Sequence, residues 1–305
     1  MSNQTTSFGI IYEDLKASLV MAKNNMLSYF LANLGMAIAL VLIVMVIAIP
    51  IVAAALLAGP MAWAEWGQWM ADTMQHNPSA VFTIGSLGLL ILVPFAAAAF
   101  VVIGSIFGMS KEVVETGETK AESAFSWFRR KFLAFAGAGV ILTLVIIVPQ
   151  AIVYGLASWA MGFQVTGVAS ISLSVFSFVY SFITVGFCLM VIPGVVNGQN
   201  VQDAFKQSFD LAKGNFERVF GLLSGLIVFF LLVYSPLIIG GLLIGPNSAM
   251  VLYPATIFIA GWALVAGLLT FLLFLPMAII SIVRVYHELT GGQVYEPTGP
   301  EIPMM

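Results

Sequence analysis

Acid–base, nucleophilic and metal chemistry all need particular side chains, and this chain of 305 residues holds few of them: two histidines, His76 and His287, one cysteine, Cys188, and 14 acidic residues. Asp72 and His76 stand four residues apart, the spacing at which two side chains of one helix can share a metal. A zinc site needs three or four such ligands, so the pair falls short. His287 adjoins Glu288 near the C-terminus and reads as part of a solvated helix end. A single cysteine excludes an intrachain disulfide and a cysteine-based metal cage, and Cys188 reads as a small buried apolar residue. A serine nucleophile would need a base beside it, and neither histidine falls at membrane depth. The expectation is a chain with no catalytic residues, no cofactor and no metal.

One polar pattern remains. Ser174, Ser177, Ser181, Thr184 and Cys188 are spaced by three and four residues, which places them along one face of a helix. Small residues let helices approach closely, and hydroxyls bond across the contact or back to their own carbonyls. A packing seam is the expected role of Ser174, Ser177, Ser181 and Thr184. The alternative is a groove or cavity lined by them together with Gln150.

The elements that must position these residues follow from composition. Charged residues make up 8% of the chain, against about 25% in soluble domains. Six runs contain no Asp, Glu, Lys, Arg or His: Leu27 to Leu57, Val81 to Met109, Phe132 to Met161, Ser170 to Val195, Val219 to Ile244 and Leu252 to Val283. Each exceeds the ~20 residues that cross a bilayer as a helix, and none alternates in polarity as barrel strands do. The chain is therefore expected to be all-α, a polytopic bundle of six transmembrane helices. Residues 1–26 form an amphipathic N-terminal segment, 27–285 the membrane domain and 286–305 a tail. The absence of acids from the six runs argues against a proton-coupled pump and against carboxylate catalysis within the bilayer.

The bases are unevenly placed. They occur in the N-terminal segment (Lys16, Lys23), the second connection (Lys111, Lys120, Arg129, Arg130, Lys131), the fourth (Lys206, Lys213, Arg218) and at Arg284, with none in the other connections. The positive-inside rule then puts both termini in the cytoplasm, with the segments near Trp63 to His76, Gln164 and Pro246 outside. A cleavable signal is the competing reading, since Ala62-Trp63-Ala64 resembles a cleavage site. The apolar run from Leu27 is about twice as long as a signal peptide requires, so it reads as a span. Trp63, Trp66 and Trp69 recur every third residue and are expected to anchor the outer segment at headgroup level.

Three stretches precede the odd-numbered spans and superimpose without gaps. Leu15, Ala121 and Phe205 coincide, then Leu19, Phe125 and Phe209, then Ala22, Phe128 and Ala212, then Met26, Phe132 and Phe216. Lys23, Arg129 and Lys213 share a further column. The spacing traces one face of a helix lying in the membrane surface with bases opposite, so Lys23, Arg129, Arg130, Lys131 and Lys213 are expected interface anchors. The chain thus reads as three copies of an amphipathic helix followed by a transmembrane hairpin. Pro94, Pro193 and Pro276 each follow an apolar residue in an even span and are expected in the inner part of it. In the second connection, Glu112, Glu115, Glu118 and Glu122 precede the Arg129-Arg130-Lys131 cluster, which suggests an acidic face turned away from the bilayer.

From Pro193 the chain reads PGVVNGQNVQDAFKQSFDLAKGNF. The Pro-x-Val-Val pattern followed by Ala204, Ser208, Leu211, Lys213 and Asn215 resembles the membrane domain attached to some glycerophosphodiester phosphodiesterases. It is similar also to stand-alone six-helix prokaryotic proteins, many of them archaeal, of unknown function. The resemblance implies a membrane module without a reaction, because the catalytic barrel of the enzyme branch has no counterpart in this chain. The resulting expectation is a non-catalytic accessory or scaffold protein of the cytoplasmic membrane, partnered by lipids and by a membrane-protein complex, with no nucleic acid. The alternative is a passive conduit for a neutral or lipidic substrate.

Overall fold

The computed structural model describes residues 7–76, 78–161, 166–244 and 253–296, and no strand occurs among them. Ten α-helices follow in order: α1 (Ser7–Asn24), α2 (Met26–His76), α3 (Pro78–Thr116), α4 (Ala121–Ala160), α5 (Gly167–Cys188), α6 (Val191–Val196), α7 (Val201–Gly214), α8 (Phe216–Ile244), α9 (Tyr253–Leu269) and α10 (Leu275–Thr290). A π-helical turn, Thr270–Phe274, joins α9 to α10. Six segments are long and apolar enough to cross a membrane: Met26–Pro50, Leu90–Thr116, Ala121–Ala160, Gly167–Val196, Phe216–Gly240 and Ile257–Thr290. Each corresponds to one charge-free run, as expected where no water can satisfy a bare backbone.

Helix α1 and the end of α10 pack together on one side of the bundle, the terminal side; the opposite ends of the spans form the hairpin side. Three leading helices stand on the terminal side: α1, residues 121–130 of α4, and α7. Each is cut from its span at one residue. Asn25 separates α1 from α2, Asn215 separates α7 from α8, and Lys131 leaves helical geometry within α4 (φ −119°, ψ 16°).

The core is confined largely to the terminal half. Tyr29, Ala32 and Met36 of α2 meet Val101, Ile106 and Met109 of α3, Phe135 and Ala138 of α4, Met190 to Val196, Leu222 of α8 and Met277 to Tyr286 of α10. The leading helices enter the same core through Met21 and Ala22, Ala124, and Ala204 and Ala212. Glycines set the spacing. A Cβ on Gly104 would lie 2.5 Å from the Phe135 ring, one on Gly139 2.5 Å from Phe100, and one on Gly221 2.4 Å from Ile11 of α1. Gly221 and Gly225 are the floor on which Ile11 rests.

The prolines depart from expectation. Positive-φ glycines end α3 (Gly117), follow α6 (Gly198) and cap α10 (Gly291). Pro94, Pro193 and Pro276 stand 23, 5 and 15 residues before them. At 1.5 Å per residue these depths differ by up to about 27 Å, so Pro94 lies well toward the hairpin side rather than in the inner part of its span. Helix α2 does not end near Leu57 but carries on through the segment from Trp63 to His76. It bends at Gly59 (φ 78°, ψ 165°), a conformation readily open only to glycine, and continues helically to His76.

The π turn has a local cause. The Leu275 N–H reaches back five residues to the Thr270 carbonyl. The next donor in that register is residue 276, a proline without an N–H, which leaves the Phe271 carbonyl free. The Asn33 amide of α2 supplies the donor at 3.0 Å.

Candidate functional site

The most concentrated polar chemistry on the terminal side is an ionic cluster tying together α1, α8 and α10. Asp14 lies on the face of α1 that also carries Ile11, Ser18 and Met21, and that face is buried. One Asp14 oxygen stands 2.8 Å from Nη2 of Arg218, just inside α8; the other stands 3.6 Å from Nε of Arg284 in α10. The same Nε bonds Glu288 at 3.0 Å, one turn on, and Nη2 of Arg284 bonds Glu296 at 2.6 Å. Arg218 also pairs with Glu288. Two guanidiniums thus face three carboxylates. Arg284 and Asp14 are almost wholly buried, whereas Glu296 is 72% exposed.

Taking charge out of water costs several kcal/mol per ion unless it is paired and hydrogen-bonded. Among the described residues the bonding is incomplete: Nη1 of Arg284 and Nε of Arg218 find no acceptor, and Asp14 Oδ2 is within ion-pair distance of Arg218 but out of hydrogen-bond alignment. Burial pushes the Asp14 carboxyl up to about 6, with Arg218 pulling it down, Glu288 pushing it up and Arg284 pulling it down in turn. His287 belongs beside this cluster and corrects the sequence reading. It is 4% exposed, not solvated, with Nε2 3.4 Å from the Asn197 amide. Its neighbour Tyr286 donates to Gln207 of α7 at 2.7 Å, so α10 enters the protein interior where the sequence suggested a tail.

A second polar group holds the connection between α3 and α4. The Asn25 amide donates to the Gly117 carbonyl (2.9 Å), and its oxygen accepts from the Thr119 N–H (3.1 Å). Ser28 donates to the Thr119 carbonyl at 2.9 Å. Gly117, at φ 83°, makes this turn possible. Glu112 accepts from Trp127 Nε1 and Thr119 Oγ1, both at 3.1 Å. It is therefore part of the packing, and the expected acidic face is reduced to Glu115, Glu118 and Glu122, of which Glu115 pairs with Lys111.

The serine stripe of α5 meets α4. Gln150 donates to Ser181 at 3.1 Å and accepts from Ser177, while Tyr180 donates to the Val145 carbonyl at 2.7 Å. Ser174 turns back to its own helix, bonding the Ser170 carbonyl at 2.9 Å. Thr184 continues the stripe, half-buried. The structure brings together Gln150, Ser177 and Ser181, and they bond one another across the helix contact.

Of the expected anchors, Lys23, Arg129, Arg130 and Lys213 are exposed and Lys131 is half-buried at the α4 break. Trp69 is exposed. The side chains of Trp63, Trp66 and His76 lie outside the described residues, as do Gln164 and Pro246. Among the described residues, no group of three or more His, Cys, Asp or Glu is placed to hold a metal.

Sequence reasoning missed the ionic cluster. Asp14, Arg218 and Arg284 are more than 60 residues apart in sequence, and the two arginines read only as bases near the membrane surface. A usable signal existed in α1, where Asp14 and Ser18 share a helical face with Ile11 and Met21.

Comparison of the chain with protein-family models, with curated proteins and with solved structures finds no match.

Proposed function

We propose that this protein is a non-catalytic scaffold of the cytoplasmic membrane, built from three copies of a leading helix and a transmembrane hairpin, with both termini in the cytoplasm. The observation that carries the reading is where the packing lies. Small side chains and paired charges are buried on the terminal side, where α1, α7 and α10 are cross-tied, while large apolar side chains stay exposed along the spans. A rigid terminal face on spans that pack loosely suits a protein that holds another component in place.

The three-copy reading draws support from features of the leading helices. Their breaks, at Asn25, Lys131 and Asn215, fall in one column of the sequence superposition. So do Ser18, Ala124 and Ser208, all fully buried small residues. A positive-φ glycine after the second span of each unit, Gly117, Gly198 and Gly291, adds a third correspondence. The resemblance to the membrane domain of glycerophosphodiester phosphodiesterases belongs to the same proposal, as a module without a reaction. The cytoplasmic placement of the termini rests on the distribution of bases.

The conduit reading has one observation in its favour, the polar group Gln150, Ser177 and Ser181 within two spans. Their bonds to one another favour a closed seam. The test is native mass spectrometry of the complex released from mild detergent. A protein partner at fixed stoichiometry is expected; a lone chain that passes neutral solutes or lipids when reconstituted in vesicles overturns the scaffold in favour of the conduit.

A further inference from the structure

The three breaks between leading helix and span share a feature that packing explains only in part, since Phe132 meets the Phe128 ring and Phe216 stacks on Phe220 while both stay exposed. On the leading-helix side of each break stands an exposed base, Lys23, Arg129 or Lys213. Three residues later, on the span side, stands a large apolar side chain: Met26, Phe132 or Phe216, 44%, 37% and 56% exposed. Phe125 and Phe209, seven residues before Phe132 and Phe216, are also about half exposed. A base near the end of a helix is accounted for by the helix dipole. An exposed aromatic or methionine beside it is not, and it costs free energy wherever it meets water.

We infer that these junctions bind anionic phospholipid, the base at the phosphate and the apolar neighbour among the upper acyl chains. The inference rests on the three-copy reading, since it treats the junctions as equivalent. It commits to an anionic bilayer surface because base and apolar group recur together at the point where a helix on the terminal side turns into a span. Basic residues at a membrane surface attract acidic headgroups, while large apolar side chains gain from the acyl region.

The junctions differ in charge, which ranks them. The second carries Arg129, Arg130 and half-buried Lys131 in succession; Arg130 shares a cleft with Glu112, Glu118 and Glu122, whose lining does not include Arg129 or Lys131. The first carries Lys23 alone. The third forms a cleft of about 490 Å³ lined by Lys213, Asn215, Phe216 and Arg218, but Glu217 also lines it and Arg218 is held by Asp14 and Glu288. Affinity for an acidic headgroup should therefore fall from the second junction to the first and then the third.

The test uses the full chain in a non-ionic detergent, titrated with phosphatidylglycerol and, in parallel, with phosphatidylcholine, the bound lipids being counted by native mass spectrometry. Preferential retention of phosphatidylglycerol is expected. Each exposed base removed should weaken retention about five-fold, so R129Q/R130Q should lower the tightest affinity about 25-fold and K213Q should change it little. Both substitutions lie on exposed side chains and spare Lys131, and an unchanged thermal transition verifies folding. Equal retention of the two lipids by the unsubstituted protein overturns the inference. So does phosphatidylglycerol binding that R129Q/R130Q leaves intact, including the case in which that variant instead loses a protein partner. Partner mass tests the scaffold and lipid preference tests this inference, so either can fail alone.

Discussion

The terminal and hairpin halves of this bundle use different means of holding helices together. On the terminal side, Asp14, Arg218, Arg284 and Glu288 cross-tie helices distant in sequence, and Asn25 clamps the α3–α4 turn. Toward the hairpin side large apolar side chains face outward, Leu57 at 89% exposed with Leu56 and Leu90 similar, and ties such as that of Gln150 to Ser181 join neutral groups. In lipid such side chains lose nothing by facing out, because acyl chains are as apolar as leucine. The contrast teaches that fold specificity here lies where polar groups must find partners. Apolar surface alone does not choose a neighbour within a membrane.

The comparison can be broken most directly at Arg284. R284M leaves Asp14 and Glu288 with one of their two shared cations, and removing one partner of a buried pair costs about 3–5 kcal/mol. Denaturant unfolding in micelles should report that loss; a change below about 1 kcal/mol would mean that the cluster does not organise the terminal half.

Acid titration comes next. The Asp14 carboxyl titrates near 6 in the folded protein against an ordinary 3.8, so the folded state binds more protons than the unfolded one between those values. The stability that this group contributes is fully present below about pH 4 and is lost as pH rises through about 6, by at most about 3 kcal/mol. D14N should flatten that part of the pH profile. An unaltered slope in D14N would assign the titration to another group.

Asn33 sharpens the contrast, because its amide is the donor that the Phe271 carbonyl would otherwise lack. N33L should cost about 1–2 kcal/mol, measured in the same unfolding assay. The smallest effects belong to the seam and the hairpin side. Q150L should cost about 0.6 kcal/mol, the usual scale for hydrogen bonds between membrane helices, and L57A less than about 0.5 kcal/mol. If L57A matched R284M, the two halves would not differ in the way described.

Much of this architecture is legible from charge alone. Six runs without a charge predict six spans, since a continuous apolar run permits no other backbone state in lipid. The candidate seam is legible in part: the spacing of Ser177 and Ser181 puts them on one face and Gln150 reads with them as cavity lining, but that the three bond one another across the helix contact is decided by the fold. The α1 face was half read. Leu15, Leu19 and Ala22 predict a surface helix, yet the buried side is set by Ile11, Asp14, Ser18 and Met21, because the bundle competes with the bilayer for that helix. His287 was misread for a related reason. Polarity suggested water, while Asn197 and the end of α3 close over it. The π turn leaves no periodic signal, since one proline and one distant asparagine decide it.

That π turn gears the two halves of the molecule to each other. Successive residues of an α-helix are set about 100° apart around its axis, and a π turn holds one more residue than the α turn it replaces. Rewinding residues 270–274 into α-helix would swing everything beyond Pro276 by roughly that angle. Arg284 would then turn away from Asp14, and Tyr286 from Gln207. The pitch of the five residues Thr270–Phe274 inside the sixth span thus sets the compass bearing of the charges on the terminal side. Deleting one residue there should act less like a shortened helix than like a key cut one notch out of phase.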